Sequence, residues 1–286
     1  MLKLGRHVYA DDQPLVMAIV NRTPDSFYDK GATYAEEAAL ERVAQVVEEG
    51  ADIVDIGGVK AGYGPEVDAA EEIRRVGSFV GRVRAAHPDL VISVDTWRSE
   101  VARVVCQEGA DLLNDAWGGH DPALVDVAAA AGAAIVCTHT GGLRPRTDPH
   151  RQEYDDVVAA AIADTTAYAG RALAAGVARE SIVIDPAHDF GKNTFHSLEV
   201  TRRIGEMVST GWPVLVSLSN KDFVGETLGR PAGERLAGTL AATAVCALGG
   251  ARIYRVHQVR ETRDVVDMTW SIAGRRRPLQ AIRGLA

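Results

Sequence analysis

The chain has 286 residues, of which 47% are apolar and 24% charged, and its net charge is −8. That composition is ordinary for a globular protein and far from that of a disordered or membrane chain, while the acidic balance argues against nucleic acid as the main partner, because phosphate-backbone binding draws on clustered Lys and Arg. No apolar run reaches the roughly 18 residues of a bilayer span, and the N-terminal MLKLGRHVYADDQP lacks the basic-then-apolar layout of a secretion signal, so a cytoplasmic protein with no membrane partner is expected.

Residues 1–14 read as an N-terminal extension. Eight short apolar runs then alternate with longer amphipathic stretches: LVMAIVN (15–21), ADIVDIG (51–57), LVISVD (90–95), ADLLND (110–115), AAIVCTH (133–139), SIVID (181–185), PVLVSLS (213–219) and ARIYRVH (251–257). Runs this continuous suit parallel strands buried on both faces, and segments such as 34–50 repeat apolar residues at helical spacing. Gly50, Gly109, Gly132 and Gly176 stand where helices close before the next strand. Eight strands and eight crossovers predict a single (β/α)8 barrel over residues 1–286, with 274–286 as a C-terminal tail whose Arg275, Arg276 and Arg277 are solvated. An open doubly wound sheet would show the same alternation. Cys106, Cys137 and Cys246 are widely spaced among apolar neighbours and read as buried thiols.

Polar residues collect at the C-terminal ends of these runs: Asn21, Asp55, Asp95, Asn114 with Asp115, His139, Asp185, Ser219, and Arg255 with His257. A closed barrel brings those ends to one rim, where barrel enzymes build their sites, whereas an open sheet spreads them along an edge. Any one of them could simply cap the next helix; the ring as a whole points to a site. VNRTPDSFYDKG (20–31) is a polar loop in which the Asn21 amide could reach a metal-bound or phosphate group. SVDTWR (93–98), NDAWGG (114–119) and DPAHDFGK (185–192) place acids and an amide where a flat heterocycle with donor and acceptor edges would be held. SNKDFVG (219–225) and RVHQV (255–259) follow the seventh and eighth strands, where barrels commonly bind phosphate. Arg255 is costly to bury without an anion, so phosphate or pyrophosphate is favoured there over a structural salt bridge. HTGGLRPRT (139–147) is loop-like and basic, with no assignment from sequence.

In this order the motifs resemble dihydropteroate synthase, which joins a dihydropterin methyl pyrophosphate to 4-aminobenzoate and releases pyrophosphate. MAIVNRTPDSF matches the family's first loop, and the likeness spans roughly residues 15–270. The resemblance implies a pterin pocket of Asp95, Asn114, Asp185 and Lys221. It implies a pyrophosphate site of Asn21, Arg255 and His257, with Mg2+ bridging the pyrophosphate oxygens at Asn21. Phe27, Asp29, Phe190 and Ser219 match positions on the aminobenzoate side. Lys221, Arg255 and the metal would stabilise charge on the leaving group while Asp95 and the other pterin-binding acids steady the cationic methylene. Family members are usually homodimers, which the resemblance carries over.

Five departures bear on activity. The family's second loop, Gly-Gly-Glu-Ser-Thr-Arg-Pro-Gly, is here Gly57, Gly58, Val59, Lys60, Ala61, Gly62, Tyr63, Gly64. Both glycines of Asp-Pro-Gly-x-Gly-Phe are replaced, by Ala187 and Asp189, and the new carboxylate adds bulk and negative charge beside an anionic substrate. Asn220 replaces the arginine of Ser-Arg-Lys, and Gln258 the acid of Arg-Val-His-Asp. Thr138 stands where a methionine usually packs. Loss of a positioning loop removes orientation that can account for ~7–11 kcal/mol of a barrier. The expectation is therefore a homologue that keeps pterin and pyrophosphate binding but makes dihydropteroate poorly or not at all, similar to the divergent second-copy members of the family. A competent synthase with a remodelled loop and a methyltetrahydrofolate-binding methyltransferase module are the alternatives; the latter usually works beside a cobalamin domain, for which 286 residues leave no room.

Overall fold

The computed structural model describes residues 1–23, 36–60, 62, 65–147 and 153–283. Strands and helices alternate along it: β3 (Leu15–Asn21), α1 (Glu36–Glu48), β4 (Ile53–Gly57), α2 (Ala69–Ala86), β5 (Val91–Asp95), α3 (Ser99–Gln107), β6 (Leu112–Asp115), α4 (Leu124–Ala131) and β7 (Ala134–Thr138). Then come α5 (Val157–Ala174), β8 (Ile182–Asp185), α6 (Thr194–Arg202), α7 (Ile204–Val208), β9 (Leu215–Ser217), α8 (Asp222–Leu228), α9 (Leu236–Gly249), β10 (Ile253–Val256) and α10 (Val259–Ile272). The eight strands β3 to β10 pair in parallel in the order β8-β7-β6-β5-β4-β3-β10-β9. One bridge between Ile184 and Val214 joins the two ends. The closed barrel expected from the alternation is present, and the open-sheet alternative is excluded.

All eight strands fall inside the runs seen in the sequence, and most are shorter by one or two residues at an end. Their alternation separates two cores. Val16, Val54, Ile92, Leu113, Ile135, Ile182 and Val216 face outward and meet the helices. Leu15, Met17, Ile53, Val91, Leu112, Val136, Val183, Leu215 and Ile253 face inward and fill the barrel. Gly132 closes α4 in the left-handed conformation (φ 64°, ψ 22°), where a side chain would be strained.

The extension at 1–14 contains a hairpin, β1 (Leu2–Leu4) with β2 (His7–Tyr9). Leu2 and Leu4 are fully buried in the inward-facing core, so the hairpin plugs the end of the barrel opposite the strand C-termini. Nothing in the 3.6- or 2-residue periodicity of such a short segment announced it. The basic C-terminal stretch, expected from sequence to be solvated, is partly engaged with the fold: Arg275 Nη1 donates to Ala247 O at 2.8 Å and Arg276 pairs with Asp267 at 3.1 Å. Of the three thiols, Cys137 and Cys246 are buried and Cys106 is partly exposed, and none forms a disulfide.

Candidate functional site

The two-residue period that fills the barrel also chooses the site. Continuing the inward register past the apolar layers brings Asn21, Gly57, Asp95, Asn114, Thr138, Asp185, Ser219, Arg255 and His257 to the C-terminal mouth. All of them line one cavity of about 500 Å³. That volume lies within the range of small-molecule sites, roughly 300–1,000 Å³. Lys221 and Phe190 close its side. Phe27 and Asp29 lie outside the described residues.

The same register removes two residues from the ring. Asp115 points outward, accepts from Tyr168 Oη at 2.7 Å and from Trp117 N and Gly119 N at 2.8 and 2.7 Å, and ties the β6 loop to α5. His139 is also turned away from the cavity, with its Nδ1 2.7 Å from Lys192 Nζ. Burial and the Lys192 charge push the His139 imidazolium down to about 3, so it is neutral. Lys192 also donates to the carbonyls of Ala187 and Phe190 at 3.3 and 3.1 Å, fixing the β8 loop from behind.

Arg255 corrects the expectation that it needs an external anion. Its Nε donates to Asp55 Oδ2 at 2.6 Å and its Nη2 to Asp95 Oδ2 at 3.0 Å. Asp55 is fully buried beneath the cavity floor and also accepts from Ser93 Oγ at 2.6 Å and Asn114 Nδ2 at 3.1 Å. Burial works against the Arg255 charge, but Asp55 and Asp95 outweigh it and raise its pKa. The guanidinium is thus held in one orientation by the protein, with donors on Nη1 still to use. Asp55 was visible as a strand-end acid. Its role was legible only from its inward parity with Gly57, which turns it into the barrel as Arg255 is turned.

Burial drives both of these cavity acids upward, Asp95 to about 7 against the pull of Arg255, and Asp185 to about 6 against the Ala187 N–H and Lys221. Burial costs a carboxylate its hydration, and a ligand that donates hydrogen bonds restores it. Lys221 places its Nζ 4.3 Å from the Phe190 ring centroid. Phe190 meets Trp117 edge-on at 5.3 Å, and Trp117 meets Trp97 at 6.2 Å. Trp117 lines the cavity and sequence reasoning passed it over, although NDAWGG placed it three residues past a site asparagine.

The substituted motif positions keep unusual backbones. Ala187, Asp189 and Asn220 have φ of 51°, 68° and 58°. The Asp189 carboxylate does not point freely at a ligand, as its sequence position implied: it accepts from Asp222 N at 2.6 Å, at the start of α8, and from Ser197 Oγ at 3.2 Å. Across the mouth, Arg146 in the unassigned basic loop donates to Gly62 O at 3.1 Å and Pro65 O at 2.6 Å. It clasps the β7 loop to the β4 loop, and Leu143, Thr147, Val59 and Lys60 line the outer cavity from these two loops.

A barrel with convergent acids, an amide and cations at this rim is built to hold a small polar ligand, and the chain belongs to the pterin-binding family: the family model described as pterin binding enzyme matches residues 17–257. Among its members, the chain is 59% identical to a Mycobacterium leprae protein named inactive dihydropteroate synthase 2, over 99% of this chain and 98% of the relative. A Yersinia pestis dihydropteroate synthase solved with a sulfonamide drug superposes with a TM-score of 0.90 at 31% identity, covering 96% of this chain and 99% of that one. A Xanthomonas albilineans dihydropteroate synthase solved with 7,8-dihydropteroate gives 0.80 at 35% identity, covering 92% and 95%.

Proposed function

We propose that this protein binds a dihydropterin pyrophosphate in the barrel mouth but joins it to 4-aminobenzoate slowly or not at all. One observation carries the reading: the heterocycle floor of Asp95, Asn114 and Asp185 is assembled around a half-buried, pre-oriented Arg255, while the facing β4 loop offers Val59 and Lys60 where the family pattern has Glu-Ser. In this reading Asp95 and Asp185 accept from ring N–H and amino groups and Asn114 does both. Arg255, His257 and Lys221 meet the pyrophosphate and steady its departure. The arylamine side lacks the hydroxyls and guanidinium that would orient the nucleophile.

Mg2+ fits a site of this kind, since it retains waters and takes one or two protein oxygens plus substrate phosphates. Asn21 lines the cavity and would supply its amide oxygen. When bound, the ion would offset charge on the leaving pyrophosphate. A homodimer is part of the proposal, supported by Val245 and Leu248 on α9 and Met268 and Ile272 on α10, which are 45–68% exposed on two adjoining helices. A cytoplasmic location is consistent with the lack, among the described residues, of any helix long and apolar enough to cross a membrane.

The test combines calorimetry with 6-hydroxymethyl-7,8-dihydropterin pyrophosphate and Mg2+ with a steady-state assay containing 4-aminobenzoate. Saturable pterin binding with turnover several powers of ten below ordinary enzyme rates is expected; turnover of about 1–1,000 per second refutes the reading, as does absence of pterin binding.

A further inference from the structure

The site keeps what lets a pyrophosphate leave and lacks what holds an arylamine. Arg255 is oriented by Asp55 and Asp95 at 2.6 and 3.0 Å, and His257 and Lys221 line the same cavity. On the β4 loop, Val59 and Lys60 stand where the family pattern has Glu-Ser. At a motif glycine the chain has instead added a carboxylate, Asp189, which is partly exposed and lines the cavity next to Phe190. That carboxylate is fixed in place, accepting from Asp222 N at 2.6 Å, from Phe223 N at 3.4 Å and from Ser197 Oγ at 3.2 Å. Three donors leave about one of the four acceptor positions of a carboxylate unused. Its backbone, with φ at 68°, is tied by its own N–H to Ser197 Oγ at 3.1 Å. Burial raises its pKa against the pull of Lys221 and the two backbone N–H groups, so it takes a proton more readily than a surface carboxylate does.

We propose that the protein hydrolyses the dihydropterin pyrophosphate, with a water molecule held on Asp189 taking the place of the arylamine. The inference rests on the pterin-binding reading above and names the second substrate of that site. The bond between the pterin methylene carbon and the pyrophosphate oxygen breaks, and its electron pair leaves with the pyrophosphate, whose added charge meets Arg255, Lys221 and His257. The water oxygen bonds to the methylene carbon, and one of its protons passes to Asp189 and from there to solvent. The products are 6-hydroxymethyl-7,8-dihydropterin, pyrophosphate and a proton, with no change of oxidation state. A positioned carboxylate acting as general base contributes ~100- to 10,000-fold in rate. The competing role for Asp189 is purely structural, anchoring the β8 loop to the start of α8, and the two roles part in their effect on turnover.

The experiment incubates the full chain with 6-hydroxymethyl-7,8-dihydropterin pyrophosphate and Mg2+ in oxygen-18 water, without aminobenzoate, and compares the wild type with Asp189→Asn and Asp189→Gly. Asn keeps an acceptor for the Asp222 N–H and tolerates the left-handed backbone, and Gly restores the motif residue. The wild type should release the pterin alcohol and pyrophosphate in equal amounts, at least ~100-fold faster than buffer, with the label in the alcohol. Both variants should lose ~100-fold or more in turnover at saturating substrate. Calorimetry with the two unreactive products reports binding, and melting curves report the fold; should one variant fail to fold, the other carries the comparison. Release no faster than in buffer overturns the proposal, as does label in the pyrophosphate, or folded, product-binding variants that keep the wild-type turnover. If neither product binds the wild type, the pterin reading itself falls; if they bind and no hydrolysis occurs, only this proposal does.

Discussion

Replacing Asp55 by Ala tests whether the floor of the site is held by electrostatics rather than by shape. The substitution removes the 2.6 Å contact to Arg255 Nε and the acceptors used by Ser93 and Asn114. Arg255 would remain half-buried with Asp95 as its only ion-pair partner among the described residues. Removing one member of a buried pair costs ~3–5 kcal/mol, because the remaining charge has lost both water and partner. For 286 residues at ~2.1 cal/mol/K each, the unfolding entropy is ~600 cal/mol/K, so the melting temperature should fall by ~5–8 °C. Adding Arg255→Met should recover part of that loss, since the stranded cation disappears with it. Calorimetry on the two single variants and the double variant measures the coupling directly. A loss under ~1 kcal/mol for Asp55→Ala, or strict additivity in the cycle, would refute the argument that Arg255 is oriented internally.

Two further outcomes follow from burial. Burial raises the folded-state pKa of Asp95 to about 7, so the folded protein holds this proton more tightly than the unfolded chain does. Its contribution is present below the unfolded carboxylate range and is lost as pH rises toward 7; the difference in stability between Asp95→Asn and the wild type should therefore grow in favour of the variant from pH 4 to 7, by on the order of 2–4 kcal/mol, as read from chemical denaturation across pH. A flat difference would show that Asp95 ionises normally. Leu4→Ala empties a fully buried position of the barrel plug and should cost ~2–5 kcal/mol in urea unfolding; a cost below 1 kcal/mol would mean that the hairpin is not part of the cooperative unit.

Strand number, strand placement and the polar mouth were legible because a buried parallel strand must be apolar on both faces, and only its last residues escape that demand. Which strand-end residues serve the site was less clear. Asp115 and His139 are polar strand-end residues just as Asn114 and Asp185 are, and only the inward or outward parity within each strand separates them. Reading that parity from Ile53 through Asp55 to Gly57 would have placed Asp55 under the site from sequence. The contacts that bind Arg255 and Asp189 were not legible. They join residues far apart in the chain, such as Asp55 with Arg255 and Asp189 with Asp222, and no local periodicity encodes an ion pair between strands that both flank β3. The hairpin plug stayed hidden because three-residue strands give too few positions for any period to register.

The left-handed backbones at Ala187, Asp189 and Asn220 have a wider consequence. A glycine in a loop motif marks a place where the chain must turn in a way side chains resist, and here the turn is made at Ala187 and Asp189, which stand at two motif glycines, and again at Asn220, which stands at a motif arginine. An L-residue in that conformation costs roughly 1–2 kcal/mol, so the path of these loops is set by what surrounds them rather than by the residues that trace it. Motif patterns written as strings of glycines would pass over such a chain, while the geometry they were meant to detect is still there. The loop path and the chemistry it presents can therefore drift apart during divergence.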